Sequence, residues 1–155
     1  MSIKEELIDM LNQALRFEHA ARIQYLAHAE LISGSYSERI IERLKEIASD
    51  ELKHEEKFRN LIGSYLGGEP TMEMEKTNKA NEMKEILEIN LNNEKSAIDF
   101  YKSIIRKVYD NKESLQYEFE TIEHELRHII IDEQEHITEL TLLLGLKAPV
   151  MQRSF

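Results

Sequence analysis

The chain has 155 residues, a length that suits one domain able to build a core of its own. Hydrophobic residues make up 41% and charged residues 32%, too apolar for a disordered chain and too charged for a membrane protein, and no run approaches the ~18 apolar residues of a membrane span. The formal charge of −10 argues against nucleic-acid binding, and the lack of cysteine excludes disulfides, thiolate-bound zinc and iron–sulfur clusters. The opening Met1-Ser2-Ile3-Lys4-Glu5-Glu6 lacks the basic-then-apolar layout of a signal peptide, so a cytoplasmic location is expected.

Five glycines and two prolines punctuate long stretches of good helix formers. The pattern predicts an all-α domain, residues 1–155, with helices over about 3–33, 36–66, 81–109 and 113–145. Gly34 stops the first. Ser35 and Glu38 have the spacing of a capping box for the second, which ends at Gly67-Gly68 with Pro70 beyond. Asp110-Asn111 turns the chain between the third and fourth, Gly145 ends the fourth, and Pro149 lies in a short tail. The joints at 34–37 and 110–112 are short and imply antiparallel neighbours. Residues 67–80, if extended, reach about 45 Å, the length of a helix of about 30 residues. The expected architecture is therefore a four-helix bundle of two antiparallel hairpins joined by a long crossover.

Each helix carries an apolar stripe at three- and four-residue steps. The stripes run from Leu7 through Tyr25 to Ile32, from Ile40 through Phe58 to Tyr65, from Met83 through Tyr101 to Val108, and from Phe119 to Leu143. One glutamate interrupts each: Glu18, Glu51, Glu94 and Glu133. A histidine follows three residues later on two of them, His54 and His136. An isolated carboxylate in a core is costly, and four together repel one another. Two divalent cations would balance four ionised glutamates beside neutral histidines; protonated glutamates are the alternative, but they leave six polar groups in need of partners.

One glutamate from each of two helices, with Glu-x-x-His from each of the other two, is the ligand set for two metals in a bundle. Its mixed oxygen and nitrogen donors suit iron or manganese, and zinc could also be held. Glu-x-x-His alone is a weak signal, and Glu125 with His128 repeats it off the core stripe. The stronger signal is the shared pattern of Asp50-Glu51-Leu52-Lys53-His54 and Asp132-Glu133-Gln134-Glu135-His136. A metal-bound histidine usually donates its other N–H to an acceptor. Asp50 is placed to hold His136 across the bundle, and Asp132 to hold His54; the plain alternative is two solvated aspartates.

These residues resemble the ferritin-like superfamily, bacterioferritins most closely. The segment Glu18-His19-Ala20-Ala21-Arg22-Ile23-Gln24-Tyr25-Leu26-Ala27-His28-Ala29 is similar to their first-helix signature. The two Asp-Glu-x-x-His segments and Leu66-Gly67-Gly68-Glu69-Pro70 match their second and fourth helices and the loop after the second. The resemblance implies two iron ions on Glu18, Glu51, His54, Glu94, Glu133 and His136, with Glu51 and Glu133 bridging. It also implies that Tyr25, the expected catalytic side chain, donates to Glu94.

Three departures bear on function. Leu52 stands where bacterioferritins place a haem-ligating methionine, so haem is not expected. Only ten residues follow Gly145, too few for the short fifth helix that closes a cage. Glu94 to Glu133 is several residues longer than usual, which predicts an overhang at the start of the fourth helix or a bulge within it. Rubrerythrins are a second resemblance, but they place a glutamate where this chain has Ala97.

Tyr25 and Tyr101 each follow a glutamate by seven residues, either to bond or support the metal centre or as core aromatics with satisfied hydroxyls. His28 reads as a hydrogen-bonded or interface histidine, His19, His124 and His128 as exposed, and the methionines as packing. The expected function is oxidation of Fe(II) by O2 or hydrogen peroxide, as a ferroxidase or peroxide scavenger. The alternatives are an iron-storage subunit, a di-iron oxygenase with an organic substrate, and a structural helical partner without metal. Self-association as a homodimer or larger homo-oligomer is expected.

Overall fold

The computed structural model describes residues 1–146. Among these residues are five α-helices: α1 Ile3–Ala29, α2 Ser37–Asn60, α3 Met83–Asp110, α4 Lys112–Leu115 and α5 Phe119–Leu143. No strand occurs among the described residues, and none of their helices is long and apolar enough to cross a membrane. The four long helices make the bundle, with α1 packed mainly on α2 and α3 mainly on α5.

The buried residues form two apolar cores. One joins Leu7, Leu11 and Leu15 of α1 to Phe58, Leu61, Tyr101, Ile104, Ile122 and Leu126. The other joins Tyr25 and Ala29 to Ile40, Leu44, Ile47, Ile86, Leu87 and Leu140. The start of α1 thus lies with the end of α2, the end of α3 and the start of α5. The second hairpin therefore begins at the far end of the bundle from where α2 stops, and the crossover spans the length between, as its residue count predicts.

The crossover is tied along α1 instead of hanging free. Asn12 Nδ2 donates to Glu69 O at 3.1 Å and Thr71 N to Asn12 Oδ1 at 2.8 Å. Glu75 N reaches Arg16 O at 3.0 Å, and Asn78 N donates to Gln24 Oε1 at 2.6 Å. These bonds supply the partners that an irregular segment cannot give itself. The turn into it needs its two glycines: Gly67 has φ +70°, and a Cβ on Gly68 would meet Ile8 at 2.8 Å.

Several expected boundaries shift. The capping box at Ser35 and Glu38 does not form; the chain reverses through Gly34 at φ +100°, and Tyr36 takes the cap position of α2 at φ 63° with no side-chain cap bond. The last turn of the second helix widens to a π-turn over Leu61–Tyr65, with Leu66 N bonding Leu61 O at 3.0 Å. The fourth helix neither overhangs nor bulges. It breaks: α4 is a single turn, Gln116 takes φ 42°, and α5 starts at Phe119. Leu115 and Phe119 are buried on either side of the break, while Gln116 and Tyr117 within it are exposed. The break lies outside the length that carries the site. Tyr65, assigned to a core stripe, is 39% exposed beyond the π-turn. Pro149 and the ten-residue tail lie largely outside the described residues.

Candidate metal centre

The six interrupting residues meet in a polar layer between the two apolar cores. Glu18 comes from α1, Glu51 and His54 from α2, Glu94 from α3, and Glu133 and His136 from α5; none is more than 3% exposed. Their helical spacing explains the convergence, since residues three apart on α2 and α5 project from one face. They fall into two groups whose donor atoms lie within 4.8 Å of one another: Glu18, Glu51, His54 and Glu133, then Glu51, Glu94, Glu133 and His136. Glu51 and Glu133 belong to both.

Each of the six carries one buried atom with no hydrogen-bond partner: Glu18 Oε2, Glu51 Oε1, His54 Nδ1, Glu94 Oε2, Glu133 Oε1 and His136 Nδ1. Orphaned buried polar atoms are rare, because each keeps its full desolvation cost. Six aimed into one layer fit a pair of cations. His54 Nδ1 lies 2.9 Å from Glu133 Oε1, and His136 Nδ1 lies 3.5 Å from Glu51 Oε1 and from Glu94 Oε2.

The remaining atoms of four of these groups are held from outside. Nε2 of His54 donates to Asp132 Oδ2 at 2.9 Å, and Nε2 of His136 donates to Asp50 Oδ2 at 2.9 Å. Each bond crosses between α2 and α5, and each turns Nδ1 inward. Tyr25 OH donates to Glu94 Oε1 at 2.7 Å, and Tyr101 OH donates to Glu18 Oε1 at 2.8 Å. The tyrosines work as a reciprocal pair: α1 supports the glutamate of α3, and α3 supports that of α1. Both leave the Oε2 atoms free.

Electrostatics follow the geometry. Burial, then the repulsion of neighbouring carboxylates, pushes Glu51 and Glu133 well above the usual carboxylate range. Burial acts the same way on Glu94, but hydrogen bonds from Glu133, His136 and Tyr25 outweigh it and lower its value. Burial would lower His136, yet bonds to Asp50 and Glu94 and the charge of Glu94 and Glu133 raise it to about 11. His54 is raised by the same balance, against burial, by Glu18, Asp132 and Glu133. Hydrogen bonding to the histidines draws Asp50 and Asp132 down.

A passage leads to this layer from between α1 and α3. The cavity has a volume of about 130 Å³. Glu18, Glu51, Glu94 and Glu133 form its floor, Ala20, Ala21 and Ala97 narrow its walls, and the exposed Glu75 and Lys76 of the crossover stand at its mouth.

The ferritin-like domain profile matches residues 8–148. The chain belongs to the ferritin-like family. Among curated ferritin-like relatives, the bacterioferritin of Desulfovibrio desulfuricans is 30% identical over 137 residues, 87% of this chain and 72% of the relative. Among solved structures, a ferritin-like di-iron carboxylate protein from Bacillus anthracis superposes with a TM-score of 0.85 at 29% identity, covering 93% of this chain and 99% of that one. A dodecameric thioferritin related to bacterioferritin, from Bacteroides fragilis, shares the fold with a TM-score of 0.80 at 24% identity, over 92% of this chain and 86% of that one.

Within this ferritin-like chain, His28 is hydrogen-bonded as the sequence suggests, while its partners Gln24 and Asn90, and the buried Glu55, escaped sequence reasoning. His28 Nε2 lies 2.9 Å from Asn78 O, and its Nδ1 lies 3.0 Å from Asn90 Nδ2. Gln24 Nε2 donates to Asn90 Oδ1 at 2.9 Å, so α1, α3 and the crossover are locked over the passage. Gln24 and Asn90 fall beside the apolar stripes, and only their mutual contact reveals them. Glu55, next to His54, is buried against Arg22 with Nε at 2.5 Å and with His19 Nε2 at 3.6 Å. His19 is therefore half-buried, not exposed as expected, and its Nδ1 lies 2.6 Å from Glu73 O. His124 and His128 are exposed, and Leu52 is 43% exposed on α2.

Proposed function

We propose that this protein holds two iron ions in the central layer and oxidises Fe(II) with O2 or hydrogen peroxide. The observation that carries the reading is the set of six orphaned donor atoms, split into two groups that share Glu51 and Glu133. Glu18 and His54 would complete one ion's ligands, and Glu94 and His136 the other's, with Glu51 and Glu133 between them. Manganese or zinc would also find suitable donors there. Leu52 offers no donor atom, so haem is not part of the proposal.

Bound iron supplies one-electron redox chemistry toward O2 or peroxide. The chain supplies geometry, charge and exclusion of bulk water. Asp50 and Asp132 fix the imidazole tautomers so that Nδ1 lone pairs face inward. Tyr101 and Tyr25 each hold one oxygen of a terminal glutamate, leaving the other to bind. Tyr25 and Tyr101 also place the nearest hydroxyl protons beside the carboxylates, and burial keeps both phenols protonated.

The size of the passage favours a small oxidant. One water needs ~10–15 Å³ of such space, so about 130 Å³ holds several waters or a peroxide but not a bulky organic substrate. Iron storage is the second reading, supported by the bacterioferritin relatives, and a homodimer or larger homo-oligomer is proposed with it. The test is anaerobic addition of Fe(II) to metal-free protein followed by O2 or peroxide, with ferric absorbance recorded. Rapid oxidation saturating near two irons per chain supports the redox site. Uptake far beyond two supports storage. No oxidation above the rate of free Fe(II) overturns the redox proposal.

A further inference from the structure

The outer face of α5 carries a second cluster of nitrogen donors that the central layer does not use. The segment His124-Glu125-Leu126-Arg127-His128 has the His-x-x-x-His spacing, which puts both imidazoles on one helix face. Their ring centroids are 4.2 Å apart with planes 39° from each other, and both residues are exposed. Two nitrogens bound to one ion at about 2.1 Å stand roughly 3 to 3.4 Å apart, within reach of these rings after a small side-chain rotation.

The neighbouring charges permit a cation here. Arg127 is drawn one turn back by Glu123, with Nε 2.8 Å from Oε1. Glu125 is turned toward Lys57 of α2 at 3.5 Å, so it takes no place beside the rings. Glu120 lies one turn before His124 and Asp132 one turn after His128, placing an acid at each end of the pair. The other histidines are committed elsewhere: His54 and His136 to the central layer, His28 to Asn78 and Asn90, and His19 to Glu73 and Glu55.

We propose that His124 and His128 form an outer metal site that chelates a divalent transition-metal ion from solution. Its donors are two imidazoles with water in the remaining positions. Two imidazoles follow the usual order of divalent affinity: Cu²⁺, then Ni²⁺ and Zn²⁺, ahead of Fe²⁺ and Mn²⁺. The site lies one helical turn, about 6 Å along the axis, from Asp132, whose carboxylate accepts from His54.

The experiment is a calorimetric titration of the intact protein with Ni²⁺, repeated on His124→Gln, His128→Gln and His19→Gln. Either glutamine in the pair leaves a single imidazole, and losing the second ring lowers affinity for the outer Ni²⁺ by about tenfold or more. His19→Gln leaves it unchanged. Equal Ni²⁺ binding in His124→Gln, His128→Gln and the parent protein overturns the proposal. Loss in only one of the pair overturns it too, because the ion then rests on one ring. Imidazole NMR signals broadened by Ni²⁺ at both His124 and His128, and no others on the surface, locate the ion independently.

Discussion

Asp132 on α5 holds His54 on α2, its Oδ2 2.9 Å from the imidazole Nε2, and so decides which ring nitrogen faces the interior. Asp50 does the same for His136 in the opposite direction. Asp132→Ala is expected to weaken metal binding at one of the two positions by about 10- to 100-fold, the usual effect of removing such a partner. Asp50→Ala should do so at the other. Both aspartates are partly exposed, so the fold should survive. Metal titration of the two variants checks this; unchanged affinity in both would mean the imidazoles are oriented by packing alone.

Tyr25→Phe and Tyr101→Phe should behave alike, because each removes the hydroxyl donor to a buried glutamate. Each is expected to destabilise the protein by about 1–3 kcal/mol, the cost of leaving a buried polar group unsatisfied. Chemical denaturation of the metal-free forms measures it. A loss for Tyr25→Phe alone would break the reciprocity of the pair.

Metal loading should release protons and strengthen as pH rises. His136 is raised to about 11 in the metal-free layer, after burial is outweighed by Asp50, Glu94 and Glu133. An ion at Nδ1 must displace that proton at any pH below about 11. The sign is therefore fixed: affinity falls with falling pH, and binding at neutral pH acidifies the solution. Calorimetry in buffers of different ionisation enthalpy counts the protons. Binding without proton release would show that the layer is already deprotonated.

Ala97 lines the passage beside Glu94 and Tyr101. Ala97→Leu should fill it, slowing oxidation by O2 or peroxide while leaving anaerobic metal stoichiometry unchanged. Stopped-flow oxidation rates decide it, and an unaltered rate would place the oxidant's route elsewhere.

The fold was legible because the signals were long and redundant. Four apolar stripes, two short joints and one connection long enough to span a helix leave few arrangements of the chain. The six central residues were legible for the same reason: a charge on a core stripe violates its own pattern, and Asp50-Glu51 and Asp132-Glu133 repeat one motif. What escaped was set by contacts across helices. Tyr36 at the start of α2 and Gln116 before α5 adopt positive φ where neither residue type announces it. Gln24, Asn90 and Glu55 find partners 33 to 66 positions away, and no local pattern marks such pairs.

The most direct test counts metals per chain under anaerobic conditions in the parent protein, Glu18→Ala and Glu51→Ala. Glu18 belongs to one group of donors, and Glu51 to both. Two ions are expected in the parent, one in Glu18→Ala, and none or a weakened pair in Glu51→Ala. Equal metal content in all three proteins would contradict it, and the buried glutamates would then need an explanation without metal.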